Sequence, residues 1–143
     1  MNSETVELLE ECTSGCKMAL NSIEQIVEYA REQKLIDILS EYKDKHEQIK
    51  EEIGAILSES GLEEKQPGMM ATAFSWMNAK AKLMLNDNSH EIAKIIMDGC
   101  NMGIQSLCEY QNKNTNADEN ALRLAKDLVK IEEDLMCEMK QFL

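Results

Sequence analysis

The chain has 143 residues, the length of one ordinary domain, and we expect a single domain over residues 1–143. Its formal net charge of −12 disfavours contact with phosphate backbones and anionic lipid, so we expect no nucleic-acid and no membrane partner. Aromatic residues make up 4% of the chain and proline occurs once, while helix-forming residues dominate, which predicts an all-α protein.

The chain opens with MNSETVELLEECTSG, which has no basic segment followed by an apolar core. We therefore expect no signal peptide and a cytoplasmic location. The five cysteines are an odd number, and nothing in the sequence indicates an oxidising compartment. We expect all five to be reduced thiols.

Two long helices are predicted in the first half of the chain, over about residues 4–31 and 35–59. In the first, Ser3 is the expected N-cap, and apolar or small residues recur every three or four positions from Val6 to Ala30. In the second, the same spacing runs from Leu35 to Ile56 and includes His46. The link between them is so short that we expect an antiparallel hairpin.

Three further helices are predicted after LEEKQPG, the segment that holds the only proline. They cover about residues 69–85, 89–112 and 117–142, with Asp118 or Asn116 as the cap of the last one. The pattern predicts an antiparallel four-helix bundle with a short extra helix in the crossover between the second and third long helices. That short helix is rich in Met and contains the Trp, which favours self-association, so we expect a homo-oligomer (dimer) or a protein partner.

Two long hairpins joined by a crossover with a short Trp-containing helix, AFSWMNAKAKLML, resemble the ferritin-like superfamily, and within it the small bacterial ferritin-like bundles. The resemblance implies a di-iron site with one Glu from each of two helices and a Glu-x-x-His pair from each of the others. Here Lys43 and Asp87 stand three residues before the two histidines. The implied inward glutamates are replaced by Cys16 and Cys100, so iron storage or oxidase activity is not carried over.

A different metal site is one hypothesis for the bundle centre. Cys16, His46, Cys100 and Glu132 lie on four helices at similar distances, between 13 and 17 residues, from two expected turns near residues 33 and 115. Thiolate, imidazole and carboxylate groups suit zinc, while copper or iron are the other candidates. A Cys12 and Cys16 pair with Met102 or Met136 is an alternative Cu(I) site.

Core packing is the competing interpretation of the same residues. Free cysteine behaves as a small hydrophobic side chain, and a buried histidine commonly pairs with a neighbouring group, here Glu132 or a tyrosine. Glu132 itself requires a partner, either Lys43 or His46, since an unpaired buried carboxylate is costly. Our first hypothesis is therefore a non-enzymatic structural or interaction protein that needs no cofactor, and the alternative is a metal-binding protein.

Overall fold

A computed structural model describes residues 1–62 and 89–143 of the chain. These residues form an all-α bundle with no β-strand among them. The helices are α1 (Ser3–Ile26), α2 (Gln33–Glu59), α3 (Ser89–Lys113) and α4 (Glu119–Met139). Short 3₁₀ helices, Val27–Tyr29 and Lys140–Phe142, follow α1 and α4. The predicted crossover helix over residues 69–85 lies outside the described residues.

The first helix begins and ends slightly differently from the prediction. Asn2, rather than Ser3, is the N-cap, because its side-chain oxygen accepts a hydrogen bond of 2.8 Å from the Thr5 amide. The α-helix ends at Ile26 and tightens into the 3₁₀ turn, whereas the sequence pattern extended to residue 31. The helical path ends at Ala30, which adopts an extended conformation with ψ of 135°.

The second helix ends in a Schellman motif. Gly61 has φ of +73°, a conformation that glycine adopts without a steric penalty. The Gly61 amide donates to the Ser58 carbonyl at 3.0 Å, and the Leu62 amide donates to the Leu57 carbonyl at 2.9 Å. These bonds satisfy carbonyls that would otherwise lack partners at the end of α2.

The start of α1 contacts the loop between α3 and α4. The side-chain nitrogen of Asn2 donates to the Asn116 carbonyl at 2.9 Å, and the Thr5 hydroxyl accepts from the Asp118 amide at 2.7 Å. Asp118 is the N-cap of α4 by position, as predicted, but its side chain makes no capping hydrogen bond. Thr5 is buried although it is polar, and this bond to the loop satisfies its hydroxyl.

The buried apolar residues form two clusters. The turn cluster lies beside the α1–α2 connection and contains Ile23, Leu35, Tyr42, Ile92 and Leu135 among others. The loop cluster lies beside the α3–α4 loop and contains Leu9, Ile49, Leu107, Ala121 and Leu128 among others. On α2 and α4, the buried residues between the two clusters are His46 and Glu132, which belong to the site described next.

No helix in residues 1–62 and 89–143 combines the length and the apolar character needed to cross a membrane.

Candidate functional site

A buried ion pair separates the two apolar clusters. His46 lies on α2 between Tyr42 of the turn cluster and Ile49 of the loop cluster, and its side chain is completely buried. Glu132 lies at the matching place on α4, with 6% of its surface exposed. His46 Nε2 and Glu132 Oε1 are 2.5 Å apart. Of the two partners that the sequence suggested for Glu132, His46 is present, while Lys43 pairs with Glu24 at 3.5 Å.

Both ring nitrogens of His46 have a partner. Nδ1 is 2.6 Å from the Tyr42 carbonyl oxygen, one helical turn earlier, and a carbonyl can only accept, so Nδ1 carries a proton. Burial lowers the pKa of His46, but the hydrogen bond and charge of Glu132, together with the Tyr42 carbonyl, raise it above its usual value near 6.5. These contacts favour the protonated form of His46, an imidazolium facing the Glu132 side chain.

Cys100 on α3 is the third member of the site. Its thiol donates a hydrogen bond to the Glu132 carboxylate. Burial, the Glu132 charge and this hydrogen bond together raise the pKa of the Cys100 thiol. The carboxylate thus accepts from two donors on two different helices, and each donor offsets part of the cost of burying its charge.

Gly103 on α3 lies next to the Glu132 side chain. A methyl group at Gly103 would lie 3.6 Å from Glu132 Oε2 and 3.7 Å from its Cδ. These are ordinary van der Waals distances, so the carboxylate packs close to Gly103 without requiring a glycine there.

The order of the three groups determines their chemistry. In a nucleophilic cysteine site, an imidazole takes the proton of the thiol. Here the carboxylate lies between the imidazole and the thiol, and the raised pKa of Cys100 keeps the thiol protonated. Cys12, also buried, has a pKa raised to about 12 by burial and by the nearby Glu11 charge. Neither thiol is activated for nucleophilic attack.

The structure brings together three of the four predicted metal ligands. His46, Glu132 and Cys100 are joined by the contacts above, and Cys16 is fully buried in the loop cluster. In the described part of the chain, no group of three or more His, Cys, Asp or Glu side chains is arranged to hold a metal ion. All five cysteines lie within these residues, and none of them forms a disulfide.

The distance between His46 and Glu132 differs from that between two ligands of one metal ion. Two donors bound to one tetrahedral zinc at about 2.0 Å are separated by roughly 3.3 Å. His46 Nε2 and Glu132 Oε1 are closer, at 2.5 Å, and share a proton instead. The donor chemistry fits a borderline metal, but His46 and Glu132 would have to separate and His46 would have to lose a proton.

A surface pocket lies on α4 and involves none of the residues of the buried site. Its lining belongs entirely to the first turns of α4: Glu119, Asn120, Leu122, Arg123, Lys126 and Asp127. It includes none of the four predicted ligands, and one helix face offers no enclosure for a small molecule.

The comparisons with known proteins add no family to this description. No protein-family model matches the chain, and searches of curated proteins and of solved structures find no match.

Proposed function

We propose that this chain is a ferritin-like, antiparallel four-helix bundle that lacks a di-iron site and acts as a non-enzymatic structural or interaction protein in the cytoplasm. Contacts between helix ends support the antiparallel arrangement. Glu7 near the start of α1 pairs with Lys113 at the end of α3 at 2.7 Å, and Glu32 after α1 accepts from Ser89 at the start of α3 at 2.7 Å.

The observation that carries the non-enzymatic proposal is the closed hydrogen bonding of the buried pair. Both nitrogens of His46 are bonded, and Glu132 accepts from His46 and Cys100. Polar groups that satisfy one another in a dry core stabilise and specify packing, whereas catalytic groups must reach a substrate. The resemblance would require bridging carboxylates at positions that hold Cys16 and Cys100.

Ferrous iron oxidation tests this proposal directly. The purified protein, prepared under reducing conditions without a tag or chelator, should oxidise added ferrous iron no faster than buffer. The variant E132Q is the control, because it removes the carboxylate that would remain essential to any iron site. Turnover by the wild-type protein that disappears in E132Q would refute the proposal.

The interaction part of the proposal makes a second claim, a homodimer. Light scattering after gel filtration should give twice the mass of the 16.3 kDa chain. A strictly monomeric protein at all concentrations would leave binding to another protein as the only form of this proposal. Pull-down of a specific partner at a fixed stoichiometry would then be required to sustain it.

Metal binding is the second candidate function, favoured by the convergence of His46, Glu132 and Cys100. With Cys16, these residues would hold zinc or copper through thiolate and imidazole groups, with iron as the third candidate. Elemental analysis of the purified protein should then find about one ion per chain. Binding should disappear in C16S/H46Q and persist in the matched control C137S/H90Q, which changes an exposed cysteine and an exposed histidine.

A further inference from the structure

The two halves of the bundle carry related sequences on their first helices. GCKMALNSI, residues 15–23 of α1, aligns with GCNMGIQSL, residues 99–107 of α3. The Gly, Cys, Met and Ser are identical, and the differing apolar and amide positions hold similar residues. The alignment matches Cys16 with Cys100, 84 positions apart.

The burial of α1 and α3 follows the same alignment. Five of the buried residues of α3 fall on buried residues of α1. The matched pairs are Leu8 with Ile92, Leu9 with Ala93, Cys12 with Ile96, Cys16 with Cys100, and Ile23 with Leu107.

The second helices agree more closely. Aligning residues separated by 86 positions makes α2 and α4 begin at equivalent residues, Gln33 and Glu119. Every buried residue of α4 then falls on a buried residue of α2. The matched pairs are Leu35 with Ala121, Ile38 with Leu124, Leu39 with Ala125, Tyr42 with Leu128, His46 with Glu132, Ile49 with Leu135, and Ile53 with Met139.

The contact between His46 and Glu132 shows where an axis relating the two halves would lie. In a twofold arrangement, a residue at the axis contacts its own equivalent. His46 and Glu132 are equivalent in the alignment, are separated by 86 positions and are 2.5 Å apart. The helix packing also agrees with a twofold arrangement, because α1 packs against its equivalent α3 and α2 packs against its equivalent α4.

We propose that the chain is a tandem duplication of one helix pair, and that His46 and Glu132 form a charge-complementary contact joining the two copies across a pseudo-twofold axis. The two copies differ in charge at this one shared buried position. Pairing of unlike copies brings an imidazolium against a carboxylate. Two first halves, or two second halves, from different chains would instead bring together two imidazoles or two carboxylates in a buried core, which is strongly unfavourable.

The backbone acceptor of His46 has an equivalent on the other helix. The Nδ1 acceptor of His46 is the carbonyl of Tyr42, four residues earlier on the same helix. A histidine placed at position 132 would find the equivalent carbonyl of Leu128, also four residues earlier. The proposal therefore predicts that the pair still forms when its two residues exchange helices.

The reversal variant H46E/E132H tests this prediction in the full chain. We expect H46E to lower the urea midpoint of unfolding, with a larger loss at higher pH because two carboxylates oppose each other. We expect E132H to lower it as well, with a larger loss at lower pH because two imidazoles become charged. The double variant should recover more than half of the summed losses of the single variants at each pH.

Each outcome of this experiment decides the proposal. Recovery in H46E/E132H supports equivalent positions, and so does a folded double variant when both single variants fail to fold. A double variant that is as unstable as the sum of the singles, or that remains unfolded, shows that the positions are not equivalent and overturns the proposal. Helical circular dichroism at each urea concentration provides the measurement.

Discussion

Two ion pairs join α2 to α4, and they differ in their surroundings. Arg123 and Glu52 are 2.6 Å apart, with 48% and 47% of their side-chain surfaces exposed. His46 and Glu132 are 2.5 Å apart, with 0% and 8% exposed. When the exposed pair separates, water takes over the hydrogen bonds of both groups. When the buried pair separates, His46 has no access to water and Glu132 has little, so the bundle must open to hydrate both groups.

This difference assigns the two pairs different roles. An exposed pair contributes little to stability, because the gain from attraction nearly equals the cost of ordering two long side chains. A buried pair does not guarantee stability either, since removing two charges from water is expensive. We therefore expect its effect to be on specificity, because arrangements of the helices that separate His46 from Glu132 leave a buried charge unpaired.

The largest expected effect comes from removing one member of the buried pair. In H46L, the Glu132 carboxylate loses its cationic partner while it stays buried, and we expect a loss of about 3–5 kcal/mol in the free energy of unfolding. Urea denaturation at about pH 6, where the wild-type imidazole is protonated, measures the change.

The double variant H46L/E132L is the matched control. It removes both charges and replaces them with apolar groups, so it should be much more stable than H46L and comparable to the wild type. If H46L and the double variant lose the same stability, shape and not charge is the main contribution of His46.

The pH dependence of stability is the second expected effect. The pKa of His46 is raised in the folded protein, so its contribution is present in full below the unfolded pKa near 6.5 and is lost as the pH rises through the folded pKa. Stability should fall as the pH rises above about 6.5, with a slope of at most about 1.4 kcal/mol per pH unit for one proton. Urea titrations at several pH values give the slope.

Two variants separate His46 from other titrating groups. H46Q should remove the slope, whereas H90Q, which changes an exposed histidine, should retain it. The raised pKa values of Cys12 and Cys100 also decrease stability at high pH, but only above about pH 8.5, where thiols of the unfolded chain ionise. An equal slope in the wild type and H46Q would contradict the assignment.

The helices and their inward faces could be predicted from the sequence. Periodic apolar residues report which side of a helix is buried, and Cys16, His46, Cys100 and Glu132, all placed inside by that pattern, are buried. Counting residues from the expected turns placed these four at similar heights, to within about 6 Å at the helical rise. Three of them are indeed connected by hydrogen bonds.

The choice of hydrogen-bond partners could not be predicted. Counting residues from the turns places side chains only to within several ångströms, whereas a hydrogen bond depends on differences of less than about 1 Å. The sequence left open whether Glu132 pairs with Lys43 or His46, and both lie on α2 within one helical turn. It suggested Glu132 or a tyrosine as the partner of His46. Glu132 contacts Nε2, and the group that accepts from Nδ1 is the backbone carbonyl of Tyr42 and not a tyrosine side chain. A position-by-position comparison of the two helix pairs matches His46 with Glu132, and this match is a signal in the sequence for their contact.

The third expected effect is a gain in stability on replacing Gly103. In G103A, a helix interior gains up to about 1 kcal/mol from the propensity of alanine. The new methyl group would lie 3.6 Å from Glu132 Oε2, an ordinary contact, so the buried pair should remain in place. G99A is the matched control on the same helix, because a methyl group there meets no atom within 4 Å. A loss of stability in G103A but not in G99A would show that Glu132 needs more room than this contact allows.

The smallest expected effect comes from the exposed pair. R123Q removes the ion pair with Glu52 and also the bonds of the guanidinium to Asp127 and Asn120, all of which lie at the surface. Water replaces each of these bonds, so we expect a slight decrease of the urea midpoint at low salt and none at high salt, where surface charges are screened. E52Q, which removes only the contact between α2 and α4, should give the same result. A decrease in R123Q that persists at high salt would contradict this expectation. It would mean that Arg123 stabilises the bundle mainly by packing its aliphatic stem across the two helices, and not through its charge.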